Sequence, residues 1–258
     1  MMNYIKSELY RVFHGRAIYG FTGILAVLAV LFNVVSHVFQ IFDVQFLYGN
    51  TSFSYSNLVA SPMLFGVMGA VVAMLFYEGN RKNGNLKNTV AFGISRIEIF
   101  VGECVVSLLA SIFSMIFIVA LYILSAETLL EKAGPVELGD LLTEIPAVFL
   151  VAAACMISAI VCIEMFEKNS TGIIVWMAVW FFIPNILFYL GFRFDAVHKL
   201  AMWLPYNFLS SRGMIVNTRQ CITAWETAQG MIKCLVTGGG NTLVCLIAGI
   251  ALLRKREL

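Results

Sequence analysis

Between residues 77 and 100 the chain reads YEGNRKNGNLKNTVAFGISRIEIF, which gathers Arg81, Lys82, Lys87 and Arg96 beside Glu78 and Glu98. Such a set breaks no bonds by itself. Its chemistry is binding, with an acidic protein surface or anionic headgroups as the fitting ligands. The spacing implies an ordered segment. Glu78 and Lys82 stand one helical turn apart and can pair. Asn83-Gly84-Asn85 is a turn signal, because Gly84 tolerates positive φ. Leu86–Phe92 is long enough for about two helical turns, and Gly93 ends it. Ser95-Arg96-Ile97-Glu98 is a capping box that starts a helix at Arg96. A short helix held between a turn and a cap is more definition than a passive solvated loop requires.

No other stretch offers a reactive constellation. Zinc spacings, a nucleotide fingerprint and a phosphate loop are all missing from the sequence, and the glycines of Thr237–Thr242 (TGGGNT) are followed by no lysine. His14, His37 and His198 fall in segments expected on opposite membrane faces. No catalytic residue, metal site or cofactor is expected, and nothing points to nucleic acid.

The elements that carry the basic segment are apolar. The chain has 258 residues, 60% hydrophobic and 12% charged, with 21 Phe and 12 Met, and a mean hydropathy of +0.87. Crossing a hydrocarbon core of about 30 Å takes roughly 20 apolar residues as a helix. Six runs qualify: Tyr19–Phe39, Asn57–Tyr77, Ile99–Leu124, Ile145–Phe166, Thr171–Leu190 and Gly230–Leu253. In lipid such runs must be helical, because every backbone group needs an internal partner. The expectation is an all-α polytopic membrane protein: an N-terminal element over residues 1–18, then a six-helix transmembrane domain over residues 19–258. The first run is too long and too poorly closed by small residues for a cleavable signal. Cys104, Cys155, Cys162 and Cys245 fall within spans, where thiols act as small hydrophobes, and a Cys221–Cys234 bridge is left open.

Lys6, Arg11, Arg16, Lys168, Arg254, Lys255 and Arg256 share one expected face with the basic segment. The opposite short loops hold Lys132 alone, so both termini are expected in the cytoplasm of a plasma membrane. Ile5, Leu9, Val12 and Phe13 recur at helical spacing, with Lys6, Ser7, Arg11 and His14 opposite them. That pattern describes a helix in the membrane interface, bent at Gly15, or alternatively a plain extension of the first span. Ser125–Glu144 is expected as an acidic outer connection, either attracting cations or merely solvated. Gly191–Gln229 is expected as a long outer connection, aromatic enough for either a gate or an interfacial cap. Pro184 is expected to kink the fifth span. The Thr237–Thr242 glycines either unwind the sixth or let a neighbour approach. Glu103, Glu164 and Lys233 all sit near span ends, so the midplane ionisable groups of ion-driven carriers are missing.

The run E-x-x-x-x-x-G-N-L-K-N, followed by I-S-R-x-E-I-F-V-G-E, resembles the cytoplasmic connection of ABC type-2 exporter permeases. The closest likeness is to short six-helix permeases for export of, or immunity to, peptide antibiotics of the lantibiotic and bacitracin types. The likeness covers about 25 residues, and Asn85 and Glu103 depart from it, standing where Thr and Lys are frequent. Glu78, Gly84, Leu86, Lys87, Ser95 and Arg96 would occupy the family's positions, with Arg81 and Lys82 beside them. The resemblance implies a coupling helix that receives a separate ATPase over residues 79–92 and along the basic N-terminal helix. It further implies two ATPase copies, a second permease subunit, identical or homologous, and a pathway for an amphipathic or hydrophobic cargo such as an antimicrobial peptide. ATP would be bound by the partner and not by this chain. The competing reading is a non-transporting sensor or anchor whose basic loop recruits a cytoplasmic protein or lipid.

Overall fold

The computed structural model of the chain describes residues 2–43, 46–59, 61, 63–82, 89–166, 169–209 and 228–255, with the side chains of 76–82, 147 and 253–255 falling outside it. Among the described residues the architecture is helix packed on helix, and the one strand-like pairing is an isolated bridge between Asn50 and Glu131. Helix α1 covers Met2–His14 and α2 Arg16–Phe42; the extended Gly15 (φ −78, ψ 139) separates them. Then come α3 (Thr51–Val59), α4 (Met63–Lys82), α5 (Arg96–Leu129) and α6 (Leu138–Met165). Next are α7 (Asn169–Met177), a π-helical turn (Ala178–Phe182) and α8 (Ile183–Gly191). Two short helices, α9 (Asp195–Ala201) and α10 (Pro205–Leu209), precede α11 (Ala228–Lys255).

Among the described residues, five units are long and apolar enough to cross a membrane: α2, α5, Val148–Met165 of α6, the continuous Asn169–Gly191 unit, and Ala228–Leu252 of α11. The chain is an all-α, multi-pass membrane protein. The run expected as the second span, Asn57–Tyr77, takes in the end of α3 and most of α4, which are bent by 65° and are long and apolar enough to cross only as a pair. The sequence places Ser61-Pro62 at that break, and a proline cannot continue the hydrogen-bond ladder. Helix α3 (TSFSYSNLV) is also polar, yet Thr51, Ser52, Ser54, Tyr55 and Ser56 are all buried.

Polar bonds set the registers. The Thr22 hydroxyl donates to Ser114 Oγ at 2.8 Å, and Asn33 Nδ2 donates to Ser125 Oγ at 2.8 Å. The same step along both helices makes α2 and α5 parallel, so the chain must return between them. Helix α4 makes that return: Gly69 lies beside Ser111 of α5 and Met156 of α6. Helices α6 and α11 form the most extensive interface, and Leu141, Val148, Val151, Cys155 and Ile163 of α6 are buried in the main core with Cys234 of α11.

One connection differs from expectation, and another is described only in part. Helix α5 continues to Leu129 and α6 starts at Leu138, so the Ser125–Glu144 connection shrinks to residues 130–137. Two of its acidic residues, Glu127 and Asp140, are engaged. Glu127 accepts from the Tyr55 hydroxyl at 2.7 Å and pairs with Lys132 Nζ at 2.6 Å, while Asp140 accepts the Glu137 N–H at 2.9 Å. Of the Gly191–Gln229 connection, residues 210–227, including Cys221, lie outside the described ones. Its earlier half folds as α9 and α10, tied down by Asn207 Nδ2, which donates to the Pro184 and Ala201 carbonyls at 2.8 and 2.9 Å. Cys234 is a free, fully buried thiol. Pro184 acts as its missing donor dictates: the preceding turn widens, and the Ile183 N–H reaches Ala178 O, five residues back. The glycine run does not unwind. It is helical throughout, and a Cβ on Gly238 would lie 2.8 Å from the Leu150 and Val151 backbone.

Candidate functional site

Helix α4 runs on to Lys82, so Glu78, Arg81 and Lys82 occupy its last turns, 78 and 82 one turn apart on the backbone. Gly84, Leu86 and Lys87 lie outside the described residues. The chain is described again at residue 89, where 89–91 are helical. That helical segment closes through Gly93, whose φ of +85° favours glycine. The Gly93 N–H bonds to Val90 O at 3.0 Å and the Ile94 N–H to Thr89 O at 3.3 Å.

The capping box then forms in full. The Glu98 N–H donates to Ser95 Oγ at 3.2 Å, and the Ser95 N–H returns the bond to Glu98 Oε2 at 3.1 Å. The Ser95 hydroxyl donates to the same oxygen at 3.1 Å. Arg96 is the first residue of α5. Two orphan donors at the helix start are thereby satisfied, which fixes where the helix begins. Ser95→Ala is expected to cost about 1 kcal/mol at this end. Amide hydrogen exchange should quicken over residues 96–99 and stay unchanged in the middle of α5.

What starts at Ser95 is long. Helix α5 has 34 residues and spans about 51 Å, well beyond a hydrocarbon core of about 30 Å. Two other elements grip its first turns. Tyr4 of α1 packs on Gly102 so closely that a Cβ there would lie 2.8 Å from the ring. Burial, with the Glu103 and Glu8 charges behind it, pushes the Tyr4 phenol far above its ordinary range. On another side, the Phe100 ring fills the space beside Gly249 of α11. Further along, Val106 and Ala110 of α5 join Val12, Ile18 and Val72 in a second core, with Ile5 and Leu9 of α1 against it. The apolar stripe read from α1 therefore faces helices α2, α4 and α5. Helix α1, at Tyr4, and helix α11, at Gly249, thus both meet α5 in its first turns.

A cavity of about 490 Å³ opens between α4, α5 and α6. Phe65, Met115, Val119, Phe149 and Met156 line it, with Ser111 as the polar exception. Ser111 already donates to Ser107 O at 2.7 Å, so the cavity presents an apolar wall. Its size suits a small-molecule or chain-like apolar ligand. Among the described residues no three of His, Cys, Asp or Glu converge as a metal site would require.

The sequence reading missed three features. Asn33 is fully buried: besides its Ser125 bond it donates to Tyr122 O at 3.1 Å, and it accepts from Ser54 Oγ at 2.8 Å. Phe100 and Gly102, which hold α11 and α1, stand in the run I-S-R-x-E-I-F-V-G-E, but nothing in the sequence assigns them these packing partners. Glu144 is fully buried, although it was expected at the edge of a solvated loop. Its signal was present, since Leu141, Glu144, Val148 and Val151 share one helical stripe. No protein-family model, curated protein or solved structure matches the chain.

Proposed function

We infer that the chain is the membrane-spanning permease subunit of an ATP-binding-cassette exporter, driven by an ATPase on a separate polypeptide. The observation that carries this reading is the capped start of α5, a rigid rod of about 51 Å that begins at the basic segment and passes through the bundle. A push on residues 79–92 would act on the ends of α4 and α5 together. From α5 it would reach α1 through Tyr4 and α11 through Phe100. This is the layout of a rigid-body transmission. The apolar cavity between α4, α5 and α6 fits an amphipathic or hydrophobic cargo, with Met and Phe walls that repack around varied shapes. A single bundle of this size is small for a peptide pathway, so two permease subunits with two ATPases form the working unit.

Purification of the chain from its native membrane, under conditions that preserve complexes, tests the reading. An ATPase should accompany it and change its hydrolysis rate on binding. Leu86→Asp and Gly84→Pro should abolish export and the ATPase response while membrane insertion is unaffected. A chain that purifies with a partner lacking nucleotide-hydrolysing activity contradicts the exporter reading and favours the sensor or anchor.

A further inference from the structure

Glu144 is the anomaly of the fold. It is 0% exposed, and neither carboxylate oxygen has a hydrogen-bond partner among the described residues. It sits in the first turns of α6, ahead of the apolar Val148–Met165 window and one turn from Leu141 and Val148, both of the main core. A buried carboxylate ordinarily keeps a donor or a cation, because an isolated charge in an apolar setting is too costly to hold. Among the described residues neither is supplied.

The charged groups on the elements packed against α6 are all engaged elsewhere or distant. On α11, Arg254 and Lys255 are at the far end, and Gly238 meets Leu150 and Val151, which sets Lys233 at about the level of Glu144; the Lys233 ammonium instead lies 5.4 Å from the centre of the Trp203 ring. Helices α3 (TSFSYSNLV) and α7 (NSTGIIVWM) contain no ionisable acid or base apart from Tyr55, which donates to Glu127. The charges of α4, Glu78, Arg81 and Lys82, are at its opposite end. On α5 the nearest in register is Glu127, paired with Lys132, while Arg96, Glu98 and Glu103 are at the far end. Within α6 itself, Asp140 caps Glu137 and Glu164 is five turns away. Burial alone acts on the Glu144 carboxyl, pushing it from 4.5 up to about 8.

We propose that Glu144 is a proton-binding site: the outer ends of α3, α6 and α11 stay packed around it as the neutral acid, and they part when it gives up the proton. The inference is independent of any partner ATPase. The sign follows from linkage. In the packed form the acid keeps its proton up to about pH 8, whereas an exposed carboxyl loses it near 4.5. Between those limits the packed form binds one proton more than the open form. Opening is therefore favoured about tenfold per pH unit through that window, and it levels off above it.

Cys234, fully buried on the same outer stretch of α11, reports the opening, and Cys155, fully buried deeper in α6, is its reference. The full-length protein in lipid nanodiscs is treated with a membrane-permeant thiol reagent over a pH series, and each labelled cysteine is identified by peptide mass mapping. The Cys234-to-Cys155 labelling ratio should climb steeply between about pH 5.5 and pH 8 and then flatten. A ratio that stays level overturns the proposal. E144Q, a permanently neutral isostere, should hold the ratio at its low-pH value throughout; a rise equal to that of the unaltered chain overturns the proposal. Difference infrared spectra supply a second readout. At about pH 6 a protonated-acid carbonyl band should be present in the unaltered chain, absent in E144Q, and lost by about pH 9. An ionised Glu144 at the lower pH, as a cation from residues 210–227 would produce, overturns it as well. If E144Q fails to insert, the labelling ratio of the unaltered chain decides alone.

Discussion

Gly238→Val is expected to unseat α11 from α6 and to lower the melting temperature of the purified protein more than any other single change named here. A Cβ on Gly238 would stand 2.8 Å from Leu150 C and Val151 N, and these are backbone atoms that no rotamer change can move. Overpacking a well-filled core costs about 1–3 kcal/mol when side chains can yield. Against backbone the cost lies at the upper end or above it, and it falls on the most extensive interface of the fold. Gly239→Val is the matched control, since nothing lies within 4 Å of its Cβ direction. Thermal unfolding in detergent should separate the two variants clearly. Equal melting temperatures would contradict the register of α11 on α6.

Asn33→Leu comes next. Asn33 joins three elements: α2, which carries it; α5, through Ser125 Oγ and Tyr122 O; and α3, through Ser54 Oγ. Leucine fills a similar volume but strands the Ser54 hydroxyl and one acceptor of α5. Leaving buried polar groups unpaired costs about 1–3 kcal/mol. The loss should appear as a lower melting temperature and as faster amide exchange in α3, whose backbone is also held by the Tyr122 hydroxyl on Ser54 O at 2.7 Å. Ser36→Ala on the same helix is the control. Among the described residues that hydroxyl bonds to Phe32 O within its own turn, and its removal should be nearly silent.

Much of this was legible in the sequence, and the reason is physical. The bilayer leaves so few backbone solutions that runs of apolar residues dictate helices, as α2, α5 and α11 illustrate. The capping box at Ser95 and Glu98 was legible for a different reason: its bonds are local, between residues three apart. Gly93 was readable on the same ground. What escaped depends on tertiary partners. Nothing in TSFSYSNLV states that its hydroxyls will be buried, because their acceptors lie on α2 and α5. Loop limits drawn from polarity failed around residues 125–144: helix ends can be polar, and Glu127 and Asp140 are spent on bonds close to their own helices. By its charge Glu144 reads as a loop residue, although its spacing to Leu141 and Val148 marks it as part of the buried stripe. Period outranks polarity where a helix is already under way.

The functional proposal puts the work-receiving surface at the basic segment and the response in α5. The two ends of the bundle would then divide the labour. One end, with Tyr4, Phe100 and Gly249, receives force; the other, with Glu144 and the short helices α9 and α10, opens. This division carries a simple consequence. Substitutions at the Ser95 cap should weaken the response to a partner without altering the Cys234 labelling ratio, whereas E144Q should do the reverse.

The central claim is that residues 79–92 touch a motor on another polypeptide. A photo-crosslinking amino acid placed at Leu86 in the full-length chain, irradiated in living cells, tests it most directly. The account predicts one dominant protein adduct, to a nucleotide-binding ATPase, lost when Gly84→Pro is added. Adducts to lipid alone, or to a protein without a nucleotide site, would contradict it.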